Sequence, residues 1–189
     1  MMRFLPLSIP ELIEIQPVRH GDGRGYFSEV FKRAEFEAAG IQIDWTQDNQ
    51  SFSADAGTIR GLHFQVPPVA QAKLIRVVRG AIFDVAVDIR QNSPTYGRWV
   101  SVELSAAKGN QLLVPIGFAH GYMTLQPGTE VLYKVSAPYS PDHEAAIRWN
   151  DPELEIAWPL GEASPILSAK DQAALGLAVQ VPAFDYDSL

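Results

Sequence analysis

Apolar and polar positions alternate in short runs along most of the chain, with Gly and Pro between the runs. This is the pattern of half-buried strands joined by tight turns. Leu12-Ile13-Glu14-Ile15 reads as a strand. Gly25 to Phe31 reads as another, in which Tyr26, Ser28 and Val30 face away from Phe27, Glu29 and Phe31. Lys32 to Ala39 is the best early helix, with Phe36 and Ala39 on one face and Gly40 placed to end it. The pattern from Trp45 onward predicts strands over Gln47–Ser53, Thr58–Gln65, Lys73–Arg79, Ala81–Ile89, Trp99–Leu104, Gln111–Val114, Tyr122–Thr124 and Glu130–Ser136. Pro67-Pro68, Gly80, Asn92-Ser93-Pro94, Lys108-Gly109-Asn110 and Pro127-Gly128 supply the turns. Short strands at this spacing predict an all-β sandwich or barrel, formed by one domain over 1–189. Loops dominate after about Pro138, with one short helix expected over Asp171–Gly176.

Strand parity adds a constraint. Phe83, Val85, Val87 and Ile89 share one face of their strand, and Ile82, Asp84, Ala86 and Asp88 the other. Lys73, Ile75, Val77 and Arg79 share a face of the preceding strand. If the barrel encloses a ligand, Lys73 and Asp84 point into it; the alternative is a solvated outer face. Arg60 and His63 have opposite parity on a regular strand, so a common role needs a bulge near Gly61 or binding at the rim.

Composition narrows the class. Apolar residues make up 47% and charged residues 20%, as in an ordinary globular protein. A formal net charge of −7 argues against a general nucleic-acid binder, while leaving room for a small basic pocket. With no Cys, thiolate metal sites, disulfides and Cys nucleophiles are excluded. No run approaches membrane-spanning length, and the first residues reach Pro10 and Glu11 too soon for a signal-peptide apolar region. A soluble, cytoplasmic protein is expected.

Two stretches resemble the cupins, small jelly-roll barrels. Gly109, five residues, Pro115, Ile116, Gly117 and His120 match the second cupin signature, except that Thr124 replaces the final Asn. The first signature is altered: Gly57 is followed by His63-Phe64-Gln65, Lys73 and Gly80, so Gln65 replaces a His and Lys73 stands in the Glu position after a longer gap. An ammonium has no lone pair to give a cation and repels it. Two His alone fall short of a three-ligand catalytic site. A metal-free pocket lined by His63, His120 and Lys73 is therefore expected. Such a set suits proton abstraction beside a carbonyl, with imidazole as base and the cation opposite the enolate oxygen. Tyr133, in a late strand, is placed to return a proton from the other face; otherwise it is a core or rim aromatic.

A narrower resemblance rests on Gly23-Arg24-Gly25-Tyr26-Phe27-Ser28-Glu29, Gln47-Asp48-Asn49-Gln50-Ser51, Ile59-Arg60-Gly61-Leu62-His63-Phe64-Gln65, Gly117-Phe118-Ala119-His120-Gly121-Tyr122 and Leu167-Ser168-Ala169-Lys170-Asp171. Together they look like the dTDP-4-dehydrorhamnose 3,5-epimerase family, the RmlC-type cupins. The resemblance spans about residues 4 to 180. It implies epimerisation at C3 and C5 of a dTDP-4-keto-6-deoxyhexose through an enolate, with no cofactor or metal. It also implies His63 as base, Asp171 as its carboxylate partner, Lys73 as the enolate-stabilising cation and Tyr133 as proton donor. Asp84 is a second candidate to pair with His63 or with Lys73.

By the same resemblance His120 contacts the sugar, and Arg24 and Arg60 hold the diphosphate as guanidinium forks. Glu29, Gln47, Asp48 and Asn49 serve the thymidine, Phe27 stacks on the base, and Tyr139, Glu144 and Lys170 complete the substrate site. Family members are homodimers that exchange an N-terminal strand, here the segment 12–31, so that Arg24, Phe27 and Glu29 reach the partner's site. No nucleic-acid or membrane partner is expected. Three rivals stay open: an epimerase acting at C3 or C5 alone, a metal-dependent cupin enzyme, and a sugar-nucleotide-binding cupin without catalysis.

Overall fold

The computed structural model describes residues 1–180 and 182–188. Its strands are β1 (Arg3–Pro6), β2 (Ile13–Gln16), β3 (His20–Asp22), β4 (Gly25–Phe27), β5 (Gln47–Ser53), β6 (Ile59–Gln65), β7 (Lys73–Arg79), β8 (Ala81–Asp88), β9 (Trp99–Ser105), β10 (Gln111–Val114), β11 (Phe118–Thr124), β12 (Thr129–Val135) and β13 (Glu144–Ala146). Two short helices, α1 (Arg33–Ala38) and α2 (Ala169–Ala173), flank them.

One sheet runs β1-β2-β10-β7-β12-β5 and the other β13-β6-β11-β8-β9, with the β3–β4 hairpin standing apart. Strands β5 to β12 alternate between sheets except at the β8–β9 hairpin, giving the order 5-12-7-10 in one and 6-11-8-9 in the other. That is the wrapped, doubled Greek key of a jelly roll. The inward faces meet in an apolar layer that includes Ile75, Val77, Ile82, Ala86, Leu104, Leu112, Phe118 and Val131. Parity therefore holds: Asp84 lies in register between Ile82 and Ala86 and is fully buried, and Lys73 is 8% exposed on the face of Ile75 and Val77. Both groups point between the sheets.

Parts of the outer faces are also covered. Phe36 from α1, with Met2 and Ile41, packs on Ile15, Leu74 and Leu113 of the first sheet. Ile147, Leu154, Leu177 and Phe184 cover Leu62, Val85 and Val87 of the second. Sheets buried on both faces explain why β8 and β11 have no exposed residue.

Several elements differ from expectation. The strand expected over Gly25–Phe31 stops at Phe27, because β4 pairs only with the three residues of β3. The segment 12–31 is not one continuous strand, since β2, β3 and β4 divide it. Its first part, β2, is hydrogen-bonded on both edges, to β1 and β10, within its own chain, and only the hairpin projects. The late helix begins at Ala169 rather than Asp171, because the Ser168 side chain accepts from the Asp171 amide and caps it. The loop-rich region over 138–189 contains β13, and its residues 181 and 189 lie outside the described residues.

Candidate active site

Strand β6 carries Arg60 and His63 three positions apart, and both line one cavity of about 460 Å³ between the sheets. A bulge makes this feasible. His120 pairs with His63, but Tyr122 pairs with Arg60, so two steps on β11 meet three on β6. Gly61 sits in this bulge with φ 122°, and a Cβ there would lie 2.6 Å from Gly121 Cα and 2.7 Å from His120 O. Glycine at both positions is what lets the two strands close.

Asp171 reaches His63 from the far end of the chain. Ile59 N donates to Ile166 O at 3.0 Å, and Ile166 N to Gly57 O at 3.0 Å, which lays the segment before α2 along the start of β6. His63 Nε2 then lies 2.6 Å from Asp171 Oδ1, while Ser168 Oγ donates to Asp171 Oδ2 at 2.7 Å. Burial acts to raise the Asp171 pKa, but the bonds from His63 and Ser168 outweigh it and hold the carboxyl below its usual value. With Nε2–H given to the carboxylate, the lone pair of His63 resides on Nδ1.

Lys73 comes from the facing sheet, and its Nζ donates to His63 O at 3.1 Å. Burial pushes its pKa down to about 8, against the opposing pull of Asp84 and Glu144. The amine therefore stays mostly protonated at neutral pH. Asp84 does not pair with His63, and it forms no ion pair with Lys73 among the described residues. It meets His120 Nε2 at 2.9 and 3.1 Å, because β8 and β11 place Asp84 opposite Tyr122, next to His120 on the inner face. Burial raises the Asp84 pKa, with His120 and Lys73 opposing.

Tyr133 lines the same cavity from β12, and burial raises its phenol above the ordinary value. Tyr122, raised by burial to about 12, shares a hydrogen bond of 2.7 Å with Ser51 Oγ. Neither Tyr122 nor Ser51 was singled out from the sequence, nor was Ser168 as a partner of the carboxylate. The signals were there: Tyr122 is two residues from His120 on one strand face, and Ser168 is three before Asp171.

A second cleft of about 240 Å³ shares His63, Lys73 and Tyr133 and adds Gln47, Asn49, Tyr139 and Glu144. Titratable side chains flanked by polar groups are what a sugar nucleotide would need. A family model for dTDP-4-dehydrorhamnose 3,5-epimerase matches residues 6–178. The chain belongs to the dTDP-4-dehydrorhamnose 3,5-epimerase family.

The Sinorhizobium fredii dTDP-4-dehydrorhamnose 3,5-epimerase is 51% identical over 185 residues, covering 98% of this chain and 94% of that protein. The Bacillus anthracis family member, crystallised with TDP and PPi, superposes with TM-score 0.89 at 49% identity, over 92% of this chain and 98% of that one. The Legionella pneumophila RmlC, solved with dTDP-4-keto-L-rhamnose, gives TM-score 0.94 at 42% identity, over 98% and 99%.

Within this member of the epimerase family, not every expected site residue meets the cavity. Asp48 points to the outer face of β5 and pairs with Lys134 at 2.9 Å, because Gln47, Asn49, Ser51 and Ser53 hold the inward parity. It is corrected from the substrate set of its own chain. Arg24, Phe27 and Glu29 also lie outside this chain's cavity. Arg24 is on the projecting hairpin with its side chain 91% exposed and paired to Asp22, Phe27 is 68% exposed, and Glu29 pairs with Lys32. Glu144 pairs with Lys170 and accepts from Tyr139 Oη at 2.8 Å. Burial acts upward on Glu144, yet those bonds hold it below the usual carboxylate value. Arg60 bonds Phe52 O at 2.9 Å and turns its side chain along the cavity wall. Gln65, where other cupins carry a His, bonds Val69 O and Pro138 O and braces the loop that carries Tyr139.

Proposed function

We propose that this chain converts dTDP-4-dehydro-6-deoxy-D-glucose to dTDP-4-dehydro-L-rhamnose by epimerising C3 and C5, a step of dTDP-L-rhamnose biosynthesis. The reading rests above all on the His63–Asp171 pair, 2.6 Å apart, in one cavity with Lys73 and Tyr133. Both carbons flank the C4 ketone, so removing either proton leaves an enolate with charge on the same oxygen. His63 Nδ1 takes the proton, and the Asp171 carboxylate stabilises the imidazolium that forms. The Lys73 ammonium faces the charge that develops on O4. Tyr133 returns a proton to the opposite face, and solvent resets both groups. One proton leaves and one returns at each carbon, so the reaction calls for no oxidant or reductant.

Arg60 serves the diphosphate, and Gln47, Asn49, Tyr139, Glu144, Lys170 and His120 the sugar and nucleoside. The chain acts as a homodimer in which the hairpin of one copy carries Arg24, Phe27 and Glu29 to the cavity of the other. In support, the hairpin is polar and aromatic, and it projects from its own barrel.

The test is incubation with dTDP-4-keto-6-deoxyglucose in deuterated water, followed by proton NMR at C3 and C5. Both signals should vanish with inversion, and His63→Ala should abolish exchange at both carbons. Exchange at one carbon alone would identify a single-position epimerase. Binding without any exchange would overturn the catalytic reading.

A further inference from the structure

The base and its carboxylate account for two members of a longer chain of hydrogen bonds. Asp171 Oδ1 faces His63 and also accepts from Gly61 N at 3.3 Å. Its other oxygen, Oδ2, receives Ser168 Oγ at 2.7 Å. The direction of that last bond is fixed. Ser168 Oγ already accepts from Asp171 N at 3.1 Å, and an ionised carboxylate only accepts, so the hydroxyl hydrogen points to Oδ2. Asp171 is 3% exposed, so the hydroxyl and its neighbours replace water around the charge. Ser168 also lines the cavity that holds His63.

We propose that Ser168 is a positioning residue for the epimerase reaction, acting through Asp171 to set the basicity and orientation of His63. This rests on the assignment of His63 as the base. By donating to Oδ2, the hydroxyl disperses the carboxylate's charge and limits how strongly Oδ1 holds the Nε2 proton. It also fixes the carboxylate plane, so that Oδ1 stays aligned with the imidazole edge. Without the hydroxyl, Asp171 becomes a stronger acceptor and the imidazolium form of His63 is favoured. Less free base is then left to take the substrate proton. The same serine caps α2, so a cap effect has to be separated from the carboxylate effect.

Four variants do this: Ser168→Ala, Ser168→Gly, Ser168→Thr and Asp171→Asn. Glycine is nearly as good a cap as serine but has no hydroxyl, whereas threonine keeps both functions. Two readouts are taken on the purified enzyme. One is the NMR titration of the His63 ring, assigned by its loss in His63→Gln. The other is kcat/KM against pH with the dTDP-4-keto sugar.

In Ser168→Ala and Ser168→Gly the His63 midpoint should rise by roughly one pH unit, about the worth of a hydrogen bond to a charged group. The acid limb of kcat/KM should move up by the same amount, with most of the activity regained at higher pH. Ser168→Thr should titrate like the wild type, and Asp171→Asn should lower the midpoint. An unchanged His63 midpoint in Ser168→Ala and Ser168→Gly would overturn the proposal. So would a loss of activity equal at every pH, or a Ser168→Thr variant as impaired as Ser168→Ala. A wild-type enzyme that exchanges no substrate proton would sink the catalytic assignment instead, and the ring titration would still report on Ser168.

Discussion

Lys73 shows how one residue alters the chemistry of a barrel. Its chain lies along the apolar inner face of β7, and its amine ends at the backbone carbonyl of His63. The depressed pKa sets an alkaline limit: the ammonium is present below about 8 and is lost above it. The rate should therefore fall about tenfold per pH unit above that point, as a pH–rate profile will record. Tyr133 does not share this limit, since burial holds its phenol protonated through the same range. Lys73→Met should remove the limb and lower kcat by roughly 10²–10³-fold, the usual weight of a group facing a developing oxyanion. Tyr133→Phe should keep deuterium exchange at C3 and lose inversion at C5 by roughly 10²-fold or more, the typical contribution of a positioned acid. Wild-type inversion in that variant would remove the donor role. The sequence made Lys73 and His63 legible through a departure from a spaced pattern. The partner of His120 was not legible, because whether Asp84 meets His63, Lys73 or His120 depends on the register between β8 and β11, which alternation alone does not specify.

Among the elements, β6 carries the greatest constraint, since one bulge turns two residues of opposite parity into the same cavity. Gly61→Ala should be severe there. The added methyl meets Gly121 Cα and His120 O at a φ that disfavours any side chain. A destabilisation of about 2–3 kcal/mol is expected. For a chain of this size that lowers Tm by roughly 4–12 °C, which a calorimetric scan will measure. A change below one degree would show that the strands separate readily. The long strands were readable because burial on alternate faces writes itself into period-two runs. Strand β13 was not, since Glu144-Ala145-Ala146 has no alternation and pairs only because the loop after β12 returns along β6. The β3 pairing escaped for a similar reason, as His20-Gly21-Asp22 is wholly exposed and no core selects it.

For the whole molecule, eight strands in two sheets bury a shared inner face, and the spacing of turns made that class legible. Long-range assembly of the site was less so. The strands expected in the sequence place His63, and a segment far downstream brings Asp171 to it. Sharing between subunits belongs to this scale too. Mixing Arg24→Ala chains with His63→Ala chains should restore about a quarter to a half of wild-type activity in verified heterodimers, because one cavity then keeps both its own base and an intact arm. No recovery would confine each site to a single chain.

The path of the segment holding Ser168 and Asp171 has a consequence for synthesis. All eight barrel strands precede that segment in the chain and are synthesised before it. The imidazole thus exists in the chain before its counter-charge does, and reactivity toward a ketosugar is among the last properties the chain acquires.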